Sequence, residues 1–316
     1  MTSGELPSRI STKVDFEKDG KESGYLVLPH SRNESAWGAI RLPVTVIKNG
    51  KGPTVLMTGA SHGDEYEGPI ALSKLSSSLE PEEVSGRVII IPALNLPALR
   101  AGTRLSPIDG KNMNRIFPGS RNGSVTEMIA HYVSTKILPL CDVVLDIHSG
   151  GKTLDFIPCS VMHQLQDEQL MKKTLGALEA FGAPAGLVLK ELDHEGMLDT
   201  IVEESGKIFL STELGGGGTV TPATMEIADT GVRNLLAHFG VTQAPVATRE
   251  ERGFPPTRLL HTPDDTSYVA ADGNGIYEAC TYLGQEVSKG QVVGRIHFIE
   301  TPNREPIDCI AERSGV

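Results

Sequence analysis

The chain has 316 residues, and its 29 Lys+Arg against 40 Asp+Glu give a formal charge of −11, a balance that disfavours a nucleic-acid groove or an anionic membrane surface as the main partner. Its four cysteines (Cys141, Cys159, Cys280, Cys309) are widely spaced with no C-x-x-C, which argues against a zinc knuckle, a redox pair or a disulfide framework and fits a reducing cytoplasm. The opening residues MTSGELPSRISTK hold no apolar signal core, and no apolar run approaches the ~18 residues of a membrane span, so the chain reads as soluble and unprocessed.

Residues up to about Arg9 read as a loose tail, and Lys13 to Val27 and Ile40 to Ile47 carry the short alternating patches of antiparallel strands. Residues 1–48 are therefore expected to be a tail with strands that join the main domain. From Thr54 onward, apolar runs alternate with helical stretches. In chain order these are a strand over Thr54–Gly59, a helix over Pro69–Leu79, a strand over Val88–Ile91, a helix over Ser124–Leu138 and a strand over Val143–Ile147. A helix over Asp167–Phe181, a strand over Lys207–Ser211 and a helix over Ala223–Phe239 follow. This alternation predicts a mainly parallel sheet covered on both faces, forming a catalytic domain over residues 49–240. The segment VTQAPVATREERGFPPTR, residues 241–258, reads as a linker. Beyond it the pattern is all-β, with Tyr268–Ala270, Gly275–Thr281, Gln291–Ile299 and Asp308–Ala311 as strand candidates in a small domain over residues 259–316.

Three of the predicted strands run into residues suited to metal chemistry. Thr54 to Ala60 leads into Ser61-His62-Gly63-Asp64-Glu65, Val143 to Ile147 ends at His148, and Ile208 to Leu210 leads to Glu213. Open α/β sheets bind ligands outside the carboxyl ends of their strands, so these residues are expected to converge. His62, Glu65 and His148 make a His₂Glu set of the kind that holds one zinc ion and leaves a fourth position open. Asp146, two residues before His148 on the same strand face, could take the free N–H of that histidine and fix its tautomer. Glu213 is not needed as a ligand. A carboxylate there can take a proton from the attacking water and pass it to the leaving nitrogen. After Val88–Ile91, the loop with Arg104 and NMNRIFPG (Asn112 to Gly119) has no regular period, as binding loops often do not. Arg115 offers a planar fork for a carboxylate with Asn114 beside it, and Arg104 could stabilise an oxyanion. Taken singly, each of these side chains also fits an ordinary structural role, such as a polar strand end or a surface ion pair.

The segments GASHGDEYEGP, RLSPIDGKNMNRIFPG, DIHSG and TELG, in that order, resemble the succinylglutamate desuccinylase/aspartoacylase family of zinc amidohydrolases, relatives of the metallocarboxypeptidases. The resemblance covers roughly Thr54 to Gly216. It implies a carboxypeptidase-like mainly parallel or mixed sheet with flanking helices, plus a small C-terminal β domain that narrows the site mouth. It implies His62, Glu65 and His148 as ligands of one zinc ion per chain, Glu213 as acid/base, Arg104 as carbonyl polariser, and Asn114 and Arg115 as the clamp on the substrate carboxylate. Within the family, the longer N-terminal lead and the LGQEVSKGQ module look similar to deacetylases of ectoine breakdown, which act on N-acetyl-2,4-diaminobutyrate. One departure stands out: where the aspartoacylase branch has Asp-Leu-Asn-Arg, this chain reads Asn112-Met113-Asn114-Arg115.

The expected activity is removal of a short acyl group from the nitrogen of a small amino acid. A carboxypeptidase, or a binding protein that kept the fold without chemistry, is the alternative. The expected partner is a small acylated amino acid, with a homo-oligomer open and neither nucleic acid nor membrane involved. Gly215 to Gly218 lacks the Walker Lys-Ser/Thr and reads as a flexible turn. Asp193-His194-Glu195 reads as a solvated loop, and His131 and His163 have no metal spacing. The LGQEVSKGQVVG turn resembles a lipoyl- or biotinyl-type half-barrel, yet Lys289 lacks the flanking residues of a modified lysine, and the module reads as structural.

Overall fold

A computed structural model describes residues 7–190 and 195–316. In chain order the elements are β1 (Ser11–Thr12), β2 (Gly20–Pro29), β3 (Ala39–Asn49), β4 (Thr54–Gly59), α1 (Glu67–Ser78), β5 (Gly86–Ile91), α2 (Leu96–Ala101), α3 (Val125–Tyr132) and β6 (Val143–His148). They continue with β7 (Cys159–His163), α4 (Glu168–Phe181), β8 (Ala185–Leu189), α5 (Leu198–Glu204), β9 (Ile208–Glu213), α6 (Pro222–His238) and β10 (Arg258–Thr262). The last three strands are β11 (Ile276–Ala279), β12 (Val292–His297) and β13 (Ile307–Ile310).

Ten strands form one sheet in the order β1-β2-β3-β5-β4-β6-β9-β7-β8-β10. Its centre, β5-β4-β6-β9, is parallel. β7 then runs against β9, and β8 and β10 follow the direction of β7. On the other side β1, β2 and β3 make an antiparallel meander whose last strand docks on β5. The sheet is thus mixed, with the predicted parallel unit as its core. β11, β12 and β13 form a separate antiparallel sheet.

Alternation along the central strands divides the interior into two layers. Val55 and Met57, Val88 and Ile90, Val143 and Leu145, and Ile208 and Leu210 pack against α1, α4 and α6. Leu56, Ile89 and Ile91, Val144, and Phe209 face the layer built by α3, α5 and the loop residues Met113 and Phe117. Because successive strand side chains point to opposite faces, strands buried on both sides must be apolar throughout, which is why TVLMTG and VVLDIH could be recognised in sequence. Burial of each such aliphatic side chain contributes roughly 1.5–3 kcal/mol.

Helix packing on the first face leaves one position with no room for a side chain. A Cβ on Gly231 of α6 would lie 2.3 Å from Cζ of Phe181, the fully buried last residue of α4. In an open helix Gly→Ala stabilises by about 1 kcal/mol, but here overpacking should reverse the sign. Gly231→Ala is expected to destabilise by about 1–3 kcal/mol in urea unfolding; a variant at least as stable as the parent would mean that the two helices can part without penalty.

Several elements differ from the sequence expectation. The single helix expected over Ser124–Leu138 is α-helical only to Tyr132, continues as a π turn over Val133–Ile137 and closes in a 3₁₀ turn over Leu138–Leu140. Pro139 lacks an N–H and its ring collides with the carbonyl four residues back, so the regular ladder cannot run through. β7 and β8 were not anticipated, being five-residue strands without an alternating pattern. Tyr268–Ala270 is not a strand; the Tyr268 N–H instead closes a 3₁₀ turn on Asp265 O. Arg258–Thr262, at the start of the expected small domain, pairs in parallel with β8 and extends the large sheet. The segment expected as a linker is tied down along α6, where the Asn234 side chain donates to Ala247 O and accepts the Ala247 N–H. A cleft of about 610 Å³ runs between β8 and β10 on one side and residues 281–287 and 311–316 on the other, with Ile157 and Cys159 in its wall.

Candidate active site

The first part of the site is made where β4 ends. Ala60 takes a left-handed φ of 54°, an uncommon conformation for a residue with a side chain, and turns the chain sharply out of the sheet. Gly63 then passes so close to α2 that a Cβ there would lie 1.9 Å from the carbonyl carbon of Ala98, so no other residue fits that turn. The result is that His62 and Glu65, both buried, face one point before α1 begins. His148 is the last residue of β6, and the parallel register places it directly beside Glu213 at the end of β9. Four residues from three strand ends therefore meet at one edge of the sheet.

His62 Nδ1 lies 2.7 Å from Glu65 Oε1, and His148 Nδ1 lies 2.9 Å from Glu65 Oε2. The three donor atoms all lie within 4.8 Å of one another. The outer nitrogens are both engaged: His148 Nε2–H donates to Asp146 Oδ2 at 2.8 Å, and His62 Nε2–H donates to Asn112 Oδ1 at 3.0 Å. With the outer nitrogens holding their protons, the inner Nδ1 atoms, which here contact Glu65, are the ones a cation would take. Asp146 is fully buried and is itself held by the hydroxyls of Thr58 (2.7 Å) and Ser61 (2.8 Å). Thr212 Oγ1, near the end of β9, donates to the His148 carbonyl at 3.0 Å. Two imidazoles of fixed tautomer and one carboxylate, each braced from behind, fit a divalent cation.

Charge is arranged around this triplet in opposite senses. Burial works against ionisation of Glu65, but His148 and His62 hold its carboxyl down at about 2. Burial also opposes a charge on His148, yet Asp146 and Glu65 raise its pKa well above the ordinary histidine range. Glu213 is the reverse case, because burial pushes its carboxyl up to about 8, and its Oε2 has no hydrogen-bond partner among the described residues. A folded-state value above the ordinary 4.5 means that the native protein keeps a proton the unfolded chain releases. For the chelator-treated protein, the contribution of Glu213 to stability should therefore fall as pH rises from about 4.5 to about 8 and level off above that. Glu213→Gln should remove this loss, so that the two urea-unfolding free energies diverge across that window; parallel profiles would contradict the buried, proton-holding carboxyl.

Arg104 reaches the triplet from the loop after α2, its Nη1 lying 3.3 Å from His62 Nδ1 and 3.5 Å from Glu65 Oε1. Asn114 is buried, and its Oδ1 accepts the Leu198 N–H at the start of α5 at 2.9 Å. Arg115 is exposed and donates from Nη1 to Asn114 O at 2.6 Å. Glu67, at the start of α1, is a buried carboxyl that accepts from Thr224 Oγ1 of α6 at 3.1 Å. Of the cluster Asp193-His194-Glu195, the first two lie outside the described residues. His163 pairs with Glu203 at 3.0 Å, away from the triplet.

The model of the succinylglutamate desuccinylase/aspartoacylase catalytic domain matches residues 51–239. The chain belongs to this family. A curated relative, the N-alpha-acetyl-L-2,4-diaminobutyric acid deacetylase of Halomonas elongata, is 49% identical over 310 residues, which span 98% of this chain and 90% of the relative. Among solved structures, the product-bound ectoine utilization protein EutE (DoeB) from Ruegeria pomeroyi superposes with a TM-score of 0.93 at 45% identity, covering 99% of this chain and 93% of that one. A succinylglutamate desuccinylase/aspartoacylase from Rhodobacter sphaeroides gives 0.92 at 43% identity, covering 98% and 92%.

Within this aspartoacylase-family site, the residues that sequence reasoning missed are those that brace others. Asn112, Thr58, Ser61 and Thr212 are ordinary polar residues by composition. Thr58 and Asp146 pair directly across β4 and β6, whereas Thr212 pairs with Ile147 and belongs to the other face, so no single spacing in the sequence marks these braces.

Proposed function

We propose that the chain is a cytoplasmic zinc-dependent amidohydrolase that removes the acetyl group from the α-nitrogen of N-acetyl-L-2,4-diaminobutyrate. The observation that carries this reading is the buried His62–Glu65–His148 triplet with Glu213 Oε2, unpartnered among the described residues, at the adjoining strand end. The substrate class is supported by the name of the Halomonas relative, 49% identical across nearly the whole chain. All four cysteines are free thiols, as a reducing compartment would have them, and no helix among the described residues is long and apolar enough to cross a membrane.

What zinc supplies in a His₂Glu set is Lewis acidity, polarising the acyl carbonyl and acidifying the attacking water. The protein does the rest. Glu213 takes the water's proton onto its buried Oε2 and returns it to the departing nitrogen, so that the C–N bond breaks to a free amine and acetate. Burial raises the proton affinity of this carboxyl, which helps it hold the proton between the two steps. Arg104 donates from Nη1 to the carbonyl oxygen as charge builds there. The Asn114 amide and the Arg115 guanidinium grip the substrate carboxylate and fix the scissile bond in register.

Amine release from N-acetyl-2,4-diaminobutyrate, N-succinylglutamate, N-acetylaspartate and a C-terminal dipeptide, with and without a chelator, tests the reading. The first substrate should dominate, and chelation should abolish its turnover. Chelator-resistant hydrolysis would remove the metal from the account, and preferential cleavage of the dipeptide would favour a carboxypeptidase.

A further inference from the structure

We infer that Asn112 is a positioning residue whose single side-chain oxygen couples the metal ligand His62 to the carboxylate clamp. This inference rests on the zinc reading of the site. Asn112 Oδ1 accepts two hydrogen bonds at once, from His62 Nε2–H at 3.0 Å and from the Asn114 N–H at 2.9 Å. The second bond caps the 3₁₀ turn Met113–Arg115, which carries both clamp residues. Two converging N–H donors also decide which end of the amide faces inward, since only its oxygen can accept.

The two ligand histidines are thereby braced differently. His148 leans on the buried carboxylate of Asp146, whereas His62 leans on a neutral amide. A carboxylate behind a ligand imidazole makes it a stronger donor, and a neutral acceptor fixes its orientation with less charge. Asn112 therefore serves His62 chiefly by geometry, keeping the Nε2–H tautomer and aiming Nδ1 at Glu65. The same oxygen sets the height of the Asn114–Arg115 turn relative to that ring. Loss of the oxygen should free the His62 ring and uncap the clamp together, while Glu213, on β9, keeps its surroundings.

The test compares wild type, Asn112→Leu and Asn112→Asp for zinc affinity by competition with a chromophoric chelator, and for the His62 Nε2–H resonance of the zinc-loaded proteins by ¹H–¹⁵N NMR. Asn112→Leu should bind zinc about ten- to a hundredfold more weakly and lose the slowly exchanging Nε2–H signal. Asn112→Asp keeps an acceptor and should bind at least as tightly as wild type with the signal retained. Equal zinc affinity in wild type and Asn112→Leu would overturn the inference and leave the zinc reading standing. Weak binding by both variants would show that the accepting oxygen is not what matters. Should Asn112→Leu fail to fold, a His62 Nε2–H in wild type that exchanges as fast as a solvent-exposed imidazole would overturn the inference by itself. A wild type that binds no zinc would bring down the zinc reading, and the inference with it.

Discussion

Glu213→Gln should leave zinc bound in full and lower turnover by about 10²–10⁴-fold, the range contributed by one well-placed general acid/base. The substitution is nearly isosteric, so the site keeps its shape. What it removes is the capacity to accept a proton at Oε2, the atom that has no hydrogen-bond partner among the described residues. Glu213 sits beside His148 in the β6–β9 register but is not one of the three clustered donors, which is why metal content should be untouched. Measuring kcat together with zinc content by atomic absorption separates the two roles. Retained turnover would take Glu213 out of the mechanism, and lost zinc would make it a ligand instead.

The second large effect is expected at His148. Replacing it with Ala removes one of the three side chains that could hold a metal ion, and turnover should fall to background. It also leaves Asp146 Oδ2 and Glu65 Oε2 without the imidazole that now lies 2.8 and 2.9 Å away. Asp146 is fully buried, and breaking a buried charged pair from one side costs about 3–5 kcal/mol. The pH dependence should change in a defined direction. In the metal-free parent, His148 and His62 depress Glu65 from 4.5 to about 2, so this contribution is present above about pH 4.5 and is lost as pH falls toward 2. In His148→Ala that acid-limb loss should shrink. Urea unfolding of chelator-treated protein between pH 2 and 7 reads it, and an unchanged acid limb would show that His148 does not carry the shift.

How much of this was legible beforehand varies with the kind of residue. The central strands were readable because burial on two faces demands uninterrupted apolar runs, and β4 was placed over its observed residues Thr54–Gly59. The convergence of His62, Glu65, His148 and Glu213 was readable because parallel strands end at one edge. Asp146 behind His148 followed from period-two geometry, and the 2.8 Å contact is there. The direction of β7 was not readable, since CSVMH looks the same whichever way it pairs. Asn112 was visible only as a departure from the Asp-Leu-Asn-Arg pattern; its bond to a ring 50 positions earlier depends on how the intervening loop folds back. β10 was hidden for a similar reason, as RLLHT joins the large sheet through partners more than 70 residues away.

The reversal of β7 shapes how the site can vary. Because β7 starts, rather than finishes, at the edge where His148 and Glu213 end their strands, Cys159 lies opposite Glu213 in the ladder, and the stretch from His148 to Cys159 both leaves and re-enters the sheet at that edge. That stretch also reaches the cleft under the small β sheet, through Asp155, Phe156 and Ile157. Changes at residues 155–157 would thus redraw one wall of that cleft while the His62–Glu65–His148 frame stays put. On the proposed deacylase reading, a library confined to that wall is where altered acyl or side-chain preference should first surface.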